Sequence, residues 1–336
     1  MKRSWAVTIA LAAGVLLAGA GRAAEAPAPP SWWTGFLSGV QSVRLPDGRR
    51  MDLYCEGKGA PVVVLDSGLG DGAWSWSKVQ DQIAAKTRVC AYDRAGYGRS
   101  SAGPEPRDSK AIVADLAAML KAAHVNGPYV MVGHSMGSFD VRLFAFTHPK
   151  DVAGMVLVDP SADWQFVREG AVAPKMLTSI DTTSRFLGAC GQDARPSVIE
   201  KLCAPSRAEW TPGILAFMAQ AQSPGAYRAQ LSEETAFGKA DNEQLVAART
   251  ALGPKALGSR PLVVLTRGGG ETPGQSPEDA AVYKLWVVMH DEMAGLSTRG
   301  VNRIVEGSGH HIQSDKPQVV IDAVSEVVDA ARAAKR

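Results

Sequence analysis

An α/β fold, with a mostly parallel central sheet flanked by helices and a helical cap inserted into it, is predicted by three features of this 336-residue sequence. Short β-rich runs alternate with helical patterns on both sides of residues 161–260, as expected when helices cross over between parallel strands. The runs Val62-Val63-Val64-Leu65 and Met155-Val156-Leu157-Val158 are apolar without alternation, the mark of strands buried on both faces. Between 161 and 260 the strand pattern stops, and helix-like pieces separated by Pro and Gly replace it.

Taken in order, strands are expected over 42–45, 51–55 and 62–66, a helix over 76–85, a strand over 88–92 and a helix over 110–123. A strand over 129–132, a helix over 138–148 and a strand over 155–159 complete the first half of the core. Cap helices are expected over 174–187, 211–222, 226–237 and 242–252. The core resumes with a strand over 261–266, a helix over 277–296, a strand over 301–305 and a closing amphipathic helix over 317–334. The chain thus divides into a signal peptide (1–24), a leader (25–40), a core (41–160 and 261–336) and a helical cap (161–260).

The signal reading rests on Lys2-Arg3, an apolar stretch from Trp5 to Ala20 and small residues up to Ala24. That stretch is too short and too rich in Gly and Ala to be read as a stable membrane span, so none is expected after cleavage. Pro27, Pro29 and Pro30 mark the leader as a linker. The formal charge of +2 falls on processing: Lys2, Arg3 and Arg22 leave with the signal, so 33 basic residues face 34 acidic ones. With no run of like charges, nothing points to a nucleic-acid partner. Hydrophobic residues make up 46% of the chain, enough for a large buried core.

Four Cys in an exported chain suggest two disulfides. Cys190 and Cys203 lie close together in a Pro- and Gly-rich region, and Cys55 and Cys90 are joined if their two strands are neighbours. No C-x-x-C spacing or nearby His pairs with them, which argues against a zinc site.

The chemistry centres on Gly133-His134-Ser135-Met136-Gly137, which follows an apolar strand and precedes a helix. Such a strand, sharp turn and helix lift a Ser hydroxyl out of the sheet, and the small residues let strand and helix pass closely. A base is needed. Gly309-His310-His311 follows the last strand, at the same carboxyl edge as Ser135, where loop-borne groups converge.

With these motifs the sequence resembles the α/β-hydrolase superfamily from 41 to 334, the cap excepted. The resemblance is carried by Leu65-Asp66-Ser67-Gly68-Leu69-Gly70, the stretch from Ala91 to Ser100, the GHSMG elbow, Leu157-Val158-Asp159-Pro160-Ser161, and Gly309-His310 followed by Pro317. It implies Ser135 as nucleophile and His310 as general base, the spacing to Pro317 favouring His310 over His311. The oxyanion hole implied is the backbone N–H of Met136 with that of Leu69, Gly68 or Gly70 remaining open for the second donor. Ser67 stands where family members more often carry His. The acid expected is Asp159, at the end of an apolar strand, with Glu271 in the loop after Thr266, Asp163, or no acid at all as alternatives.

Trp74 and Trp76, just after the oxyanion loop, are candidates for an acyl pocket or for anchoring the next helix. Asp93 and Arg94 are read as a core brace, His134 as packing on the sheet, and Glu233-Glu234 as a solvated pair unless they bind a substrate amine. The expected activity is that of a secreted or periplasmic serine hydrolase cleaving a small-molecule carboxylic ester through an acyl-enzyme. A proline-iminopeptidase-like amidase and a non-catalytic ligand-binding protein are the alternatives. No metal or organic cofactor is implied.

Overall fold

A computed structural model describes residues 39–194, 196–203, 219, 222–269 and 276–334. The expected signal peptide and nearly all of the leader lie outside these residues, as do Glu271 and the segment 204–218, which holds most of the cap helix expected over 211–222. Among the described residues, no helix is long and apolar enough to cross a membrane.

Eight strands form one sheet in the order β1-β2-β4-β3-β5-β6-β7-β8. These are β1 (Gln41–Arg44), β2 (Arg50–Glu56), β3 (Val62–Asp66), β4 (Val89–Tyr92), β5 (Tyr129–His134), β6 (Val152–Val158), β7 (Leu262–Arg267) and β8 (Gly300–Val305). The pairs β1·β2 and β2·β4 are antiparallel, and every other pair is parallel. All carboxyl ends from β3 to β8 therefore point to one edge, where Ser135, Asp159 and His310 follow β5, β6 and β8.

The continuous apolar strands fill two cores at once, because successive side chains leave opposite faces. Val64, Met131 and Leu157 join one cluster with Phe139, Phe144 and Trp286. Val63, Leu65, Val130, Val132, Val156 and Val158 join the other, with Val320, Val324, Val327 and Val328 of the closing helix Pro317–Ala333. At about 1.5–3 kcal/mol for each fully buried aliphatic side chain, these two layers fix the register of the sheet.

Both expected disulfide pairings are present. Cys55 and Cys90 sit opposite each other in the β2·β4 register with Cα atoms 4.1 Å apart, and Cys190 and Cys203 are 5.5 Å apart.

Between β6 and β7 the described residues hold no β-strand. They form the helices Gln165–Val172, Lys175–Cys190, Ser197–Cys203, Pro224–Gly238 and Ala240–Leu252. The first and third of these were not expected; the first starts from Trp164 at φ +56°, a left-handed entry that no local pattern announces. The helix expected over 76–85 is instead a 3₁₀ turn, Ala73–Trp76, and a separate helix, Gln80–Ala84. Its start is tightened by i→i−3 bonds from Ser75, Ser77 and Val79, which bring Trp76 fully into the second core.

Candidate active site

Ser135 occupies a strained turn between β5 and the helix Gly137–Thr147, with φ at +50°. Its amide is held by the Val158 carbonyl at 3.1 Å. Close packing explains the flanking glycines: a Cβ on Gly137 would lie 2.5 Å from the Ser67 carbonyl oxygen, and one on Gly133 would lie 2.7 Å from Val141. The turn projects the hydroxyl from the carboxyl edge of the sheet.

His310 reaches it from the loop after β8. Its Nε2 lies 2.9 Å from Ser135 Oγ, and its Nδ1 lies 2.5 Å from Asp159 Oδ2. The loop is held by the Gly309 amide on Asp315 Oδ2 (2.8 Å) and by His134, whose Nε2 donates to the His310 carbonyl at 3.0 Å. Asp159 follows β6 directly at φ +39°, its amide on the Leu265 carbonyl.

The Asp159 carboxylate is fully buried and fully occupied. Oδ1 accepts from the Arg267 amide (3.0 Å) and Trp286 Nε1 (2.8 Å), while Oδ2 accepts from the Arg267 guanidinium (2.7 Å) and faces His310. Burial alone raises such a carboxyl, yet the His310 hydrogen bond and the Arg267 charge outweigh it and hold Asp159 well below the ordinary carboxylate range. It is therefore an anion at neutral pH. Asp163 is engaged elsewhere, by Arg142 and Arg249 at 2.6 Å each. Arg267 and Trp286 were not singled out from the sequence.

A cavity of about 350 Å³ opens over this cluster, and Ser135, His310, Leu69 and Met136 line it. Among the described residues, neither the Leu69 nor the Met136 amide has an acceptor within the chain, whereas the Gly70 amide faces the Tyr97 hydroxyl at 3.4 Å. The loop carrying Leu69 is pinned from below. Ser67 Oγ donates to the Gly72 carbonyl (2.9 Å), so the residue standing in place of His tightens the turn.

Arg94, buried, donates to the Ser67 carbonyl (2.5 Å), the Gly68 carbonyl (2.8 Å) and Asp66 Oδ1 (3.0 Å). The same guanidinium makes two 3.0 Å bonds to Glu233, which also accepts from the Tyr97 hydroxyl at 2.6 Å. Asp93 accepts from the Ala73 amide and the Tyr54 hydroxyl. Both residues brace the core beneath the loop.

Two expectations differ from what the structure places. Neither Trp74 nor Trp76 lines the cavity; both pack on the second core, Trp76 edge-to-face with His134 at 6.4 Å. Glu233 and Glu234 are not solvated, because the helix Pro224–Gly238 lies against the core and buries both, one on Arg94 and one in the cavity wall. Phe166, Glu169, Phe237 and Val282 complete much of that wall. Burial pushes the carboxyls of Glu169 and Glu234 up, against the Gln165 amide (3.4 Å) and the Arg267 charge for Glu169 and the Ser184 hydroxyl (2.9 Å) for Glu234. His134 is pushed down to about 3, by burial first and by His310 second. With Asp71 and His311 it forms the one group among the described residues whose donor atoms suit a metal ion.

Residues 61–191 match the family model for the alpha/beta hydrolase fold. The uncharacterised protein YqjL of Bacillus subtilis (strain 168) is 25% identical over 276 residues, which cover 82% of this chain and 87% of that one. Among solved structures, a candidate epoxide hydrolase from Pseudomonas aeruginosa aligns with a TM-score of 0.63 at 20% identity, over 89% of this chain and 99% of the other. A thermophilic esterase from Thermogutta terrifontis aligns with a TM-score of 0.59 at 19% identity, over 87% and 98%. With the sheet order and the matched segment, these show the α/β-hydrolase fold and support a relationship to the α/β-hydrolase superfamily.

Proposed function

We propose that the protein is an exported serine hydrolase that cleaves a small carboxylic ester through an acyl-enzyme on Ser135. The observation that carries this reading is the unbroken chain Ser135 Oγ, His310, Asp159, with contacts of 2.9 and 2.5 Å. Ser135 attacks the carbonyl carbon as His310 Nε2 takes its proton; the amides of Met136 and Leu69 stabilise the oxyanion. His310 then returns the proton to the departing alkoxide, and a water activated by the same nitrogen releases the acid. Asp159 holds the imidazole with Nδ1 protonated and stabilises its cation. A Ser at the elbow provides an acyl ester where an Asp would form an alkyl one, which favours carbonyl substrates. The helical insertion acts as a cap, and its apolar wall of Phe166 and Phe237 suits a short acyl or aromatic group.

A second reading, an amidase acting on substrates with a free amine, is favoured by the buried Glu169 and Glu234 in the cavity wall. A panel of p-nitrophenyl esters and aminoacyl anilides separates the two by turnover, and Glu234→Gln lowers turnover of the anilides alone if that carboxyl binds the amine. The founding test is a fluorophosphonate probe on the folded protein with the adduct located by peptide mass spectrometry. Labelling at Ser135 that is lost in Ser135→Ala and sharply reduced in His310→Ala is expected. No adduct, with the probe active on a control hydrolase, counts against catalysis and for a ligand-binding protein.

A further inference from the structure

His134 presents an unusual pair of environments. It is 1% exposed, and its Nε2 meets only the His310 carbonyl oxygen. A carbonyl accepts and cannot donate, so the ring proton sits on Nε2 and the Nδ1 lone pair is left free. That nitrogen is buried without a hydrogen-bond partner among the described residues. Facing it, at 3.8 Å, is Asp71 Oδ2, another electron-pair donor. His311 Nε2 stands 3.3 Å from the same oxygen. Buried lone pairs turned toward each other are costly unless something electropositive lies between them.

We propose that Asp71, His134 and His311 form a binding site for one divalent transition-metal ion of the zinc class, beside the Ser135–His310–Asp159 cluster. The ligand atoms of the three residues lie within 4.8 Å of one another. An ion bound at about 2.0–2.1 Å holds tetrahedral ligands about 3.4 Å apart, close to the two shorter separations. The 3.8 Å pair must close by a few tenths of an ångström and the third pair, within 4.8 Å, must also draw in, for which His311 is half exposed and free to turn. Gly68 keeps the buried nitrogen clear, since a Cβ there would come to 3.0 Å from it. Two imidazoles and one carboxylate select a borderline ion such as zinc over magnesium or calcium, which prefer all-oxygen shells. The fourth position is left for water.

The site ties together three segments that bear on the reaction centre. Asp71 lies two residues after Leu69, His134 precedes Ser135, and His311 follows His310. An ion there fixes the His310 backbone twice, through its neighbour and through the ring that holds its carbonyl.

The test is calorimetric titration of the chelator-stripped full-length protein with zinc chloride alone, in parallel with magnesium and calcium chloride. Saturable binding of one zinc per chain is expected, with affinity at least tenfold weaker in His311→Ala and in Asp71→Asn, and no saturable binding of the two hard ions. Cobalt(II) gives a second readout, the visible absorption of a four-coordinate N/O site, lost in the same variants. Circular dichroism checks their fold, and Asp71→Asn alone decides if His311→Ala is not native. Absence of one-per-chain binding in the wild type, or affinity within twofold of wild type in a natively folded variant, overturns the proposal.

Discussion

Arg267 closes over Asp159 with two kinds of donor, its main-chain amide on one carboxylate oxygen and its guanidinium on the other, at 3.0 and 2.7 Å. The guanidinium also stacks 4.5 Å above the Trp286 ring, whose N–H donates to the same carboxylate. One residue at the end of β7 thereby anchors the acid at the end of β6.

The two contributions separate by mutation. Asp159→Asn leaves the volume unchanged but offers His310 Nδ1 the wrong partner, and kcat for ester hydrolysis is expected to fall on the order of 10³–10⁴-fold. Arg267→Met keeps the carboxylate and the main-chain bond, so the expected loss is far smaller, about tenfold, equivalent to roughly 1.4 kcal/mol. Steady-state kinetics on one p-nitrophenyl ester decides. Equal losses in the two variants would show that the charge of Arg267, not the carboxylate, carries the effect.

Gly137→Ala tests the elbow. The added methyl meets the Ser67 carbonyl oxygen at 2.5 Å and the Asp66 carbonyl oxygen at 2.8 Å, all of it backbone with nothing able to rotate away. A destabilisation of about 2 kcal/mol or more is expected, together with loss of fluorophosphonate labelling, because the same shift displaces the loop that carries Leu69. Denaturant midpoints read the first effect. An unchanged midpoint would mean that the turn is looser than its contacts imply.

The pH dependence of stability has a definite sign. Asp241 is buried and raised to about 7, by burial foremost and by the Asp108 charge, against a lowering bond from the Ser109 amide. A carboxyl raised in the folded state binds more protons there than in the unfolded chain, so its contribution favours folding below its ordinary value and is lost as pH rises toward 7. Asp93, raised to about 6 by burial, works in the same direction. Asp241→Asn removes one such group, and the fall in stability between pH 4.5 and 7.5 is expected to shrink by on the order of 1–2 kcal/mol. Parallel melting-temperature curves for wild type and variant would refute this assignment.

Much of the fold was legible because its signals are local. Val62 to Leu65 and Met155 to Val158 read as buried strands, and the strand-turn-helix context of Ser135 marks an elbow without any tertiary knowledge. His310 was legible because parallel strands deliver their following loops to one edge. What escaped depends on distant pairings. Arg267 meets Asp159 across 108 residues and Trp286 meets it across 127, and neither shows in the surrounding sequence. Glu233 read as solvated because its partner, Arg94, lies 139 residues away. Trp74 and Trp76 sit close in sequence to the loop expected to supply an oxyanion donor, but the 3₁₀ turn sends them to the core behind it.

The Arg94 guanidinium joins three parts of the molecule: the sheet through Asp66, the loop after β3 through the Ser67 and Gly68 carbonyls, and the helix Pro224–Gly238 through Glu233. For protein engineering this makes the insertion a poor interchangeable module. A chimera that swaps the segment between β6 and β7 without supplying a carboxylate at the place of Glu233 leaves a buried cation short of a counter-charge, at a cost of several kcal/mol. Any transplant aimed at a new substrate range must carry that single glutamate along, or replace Arg94 in the recipient scaffold.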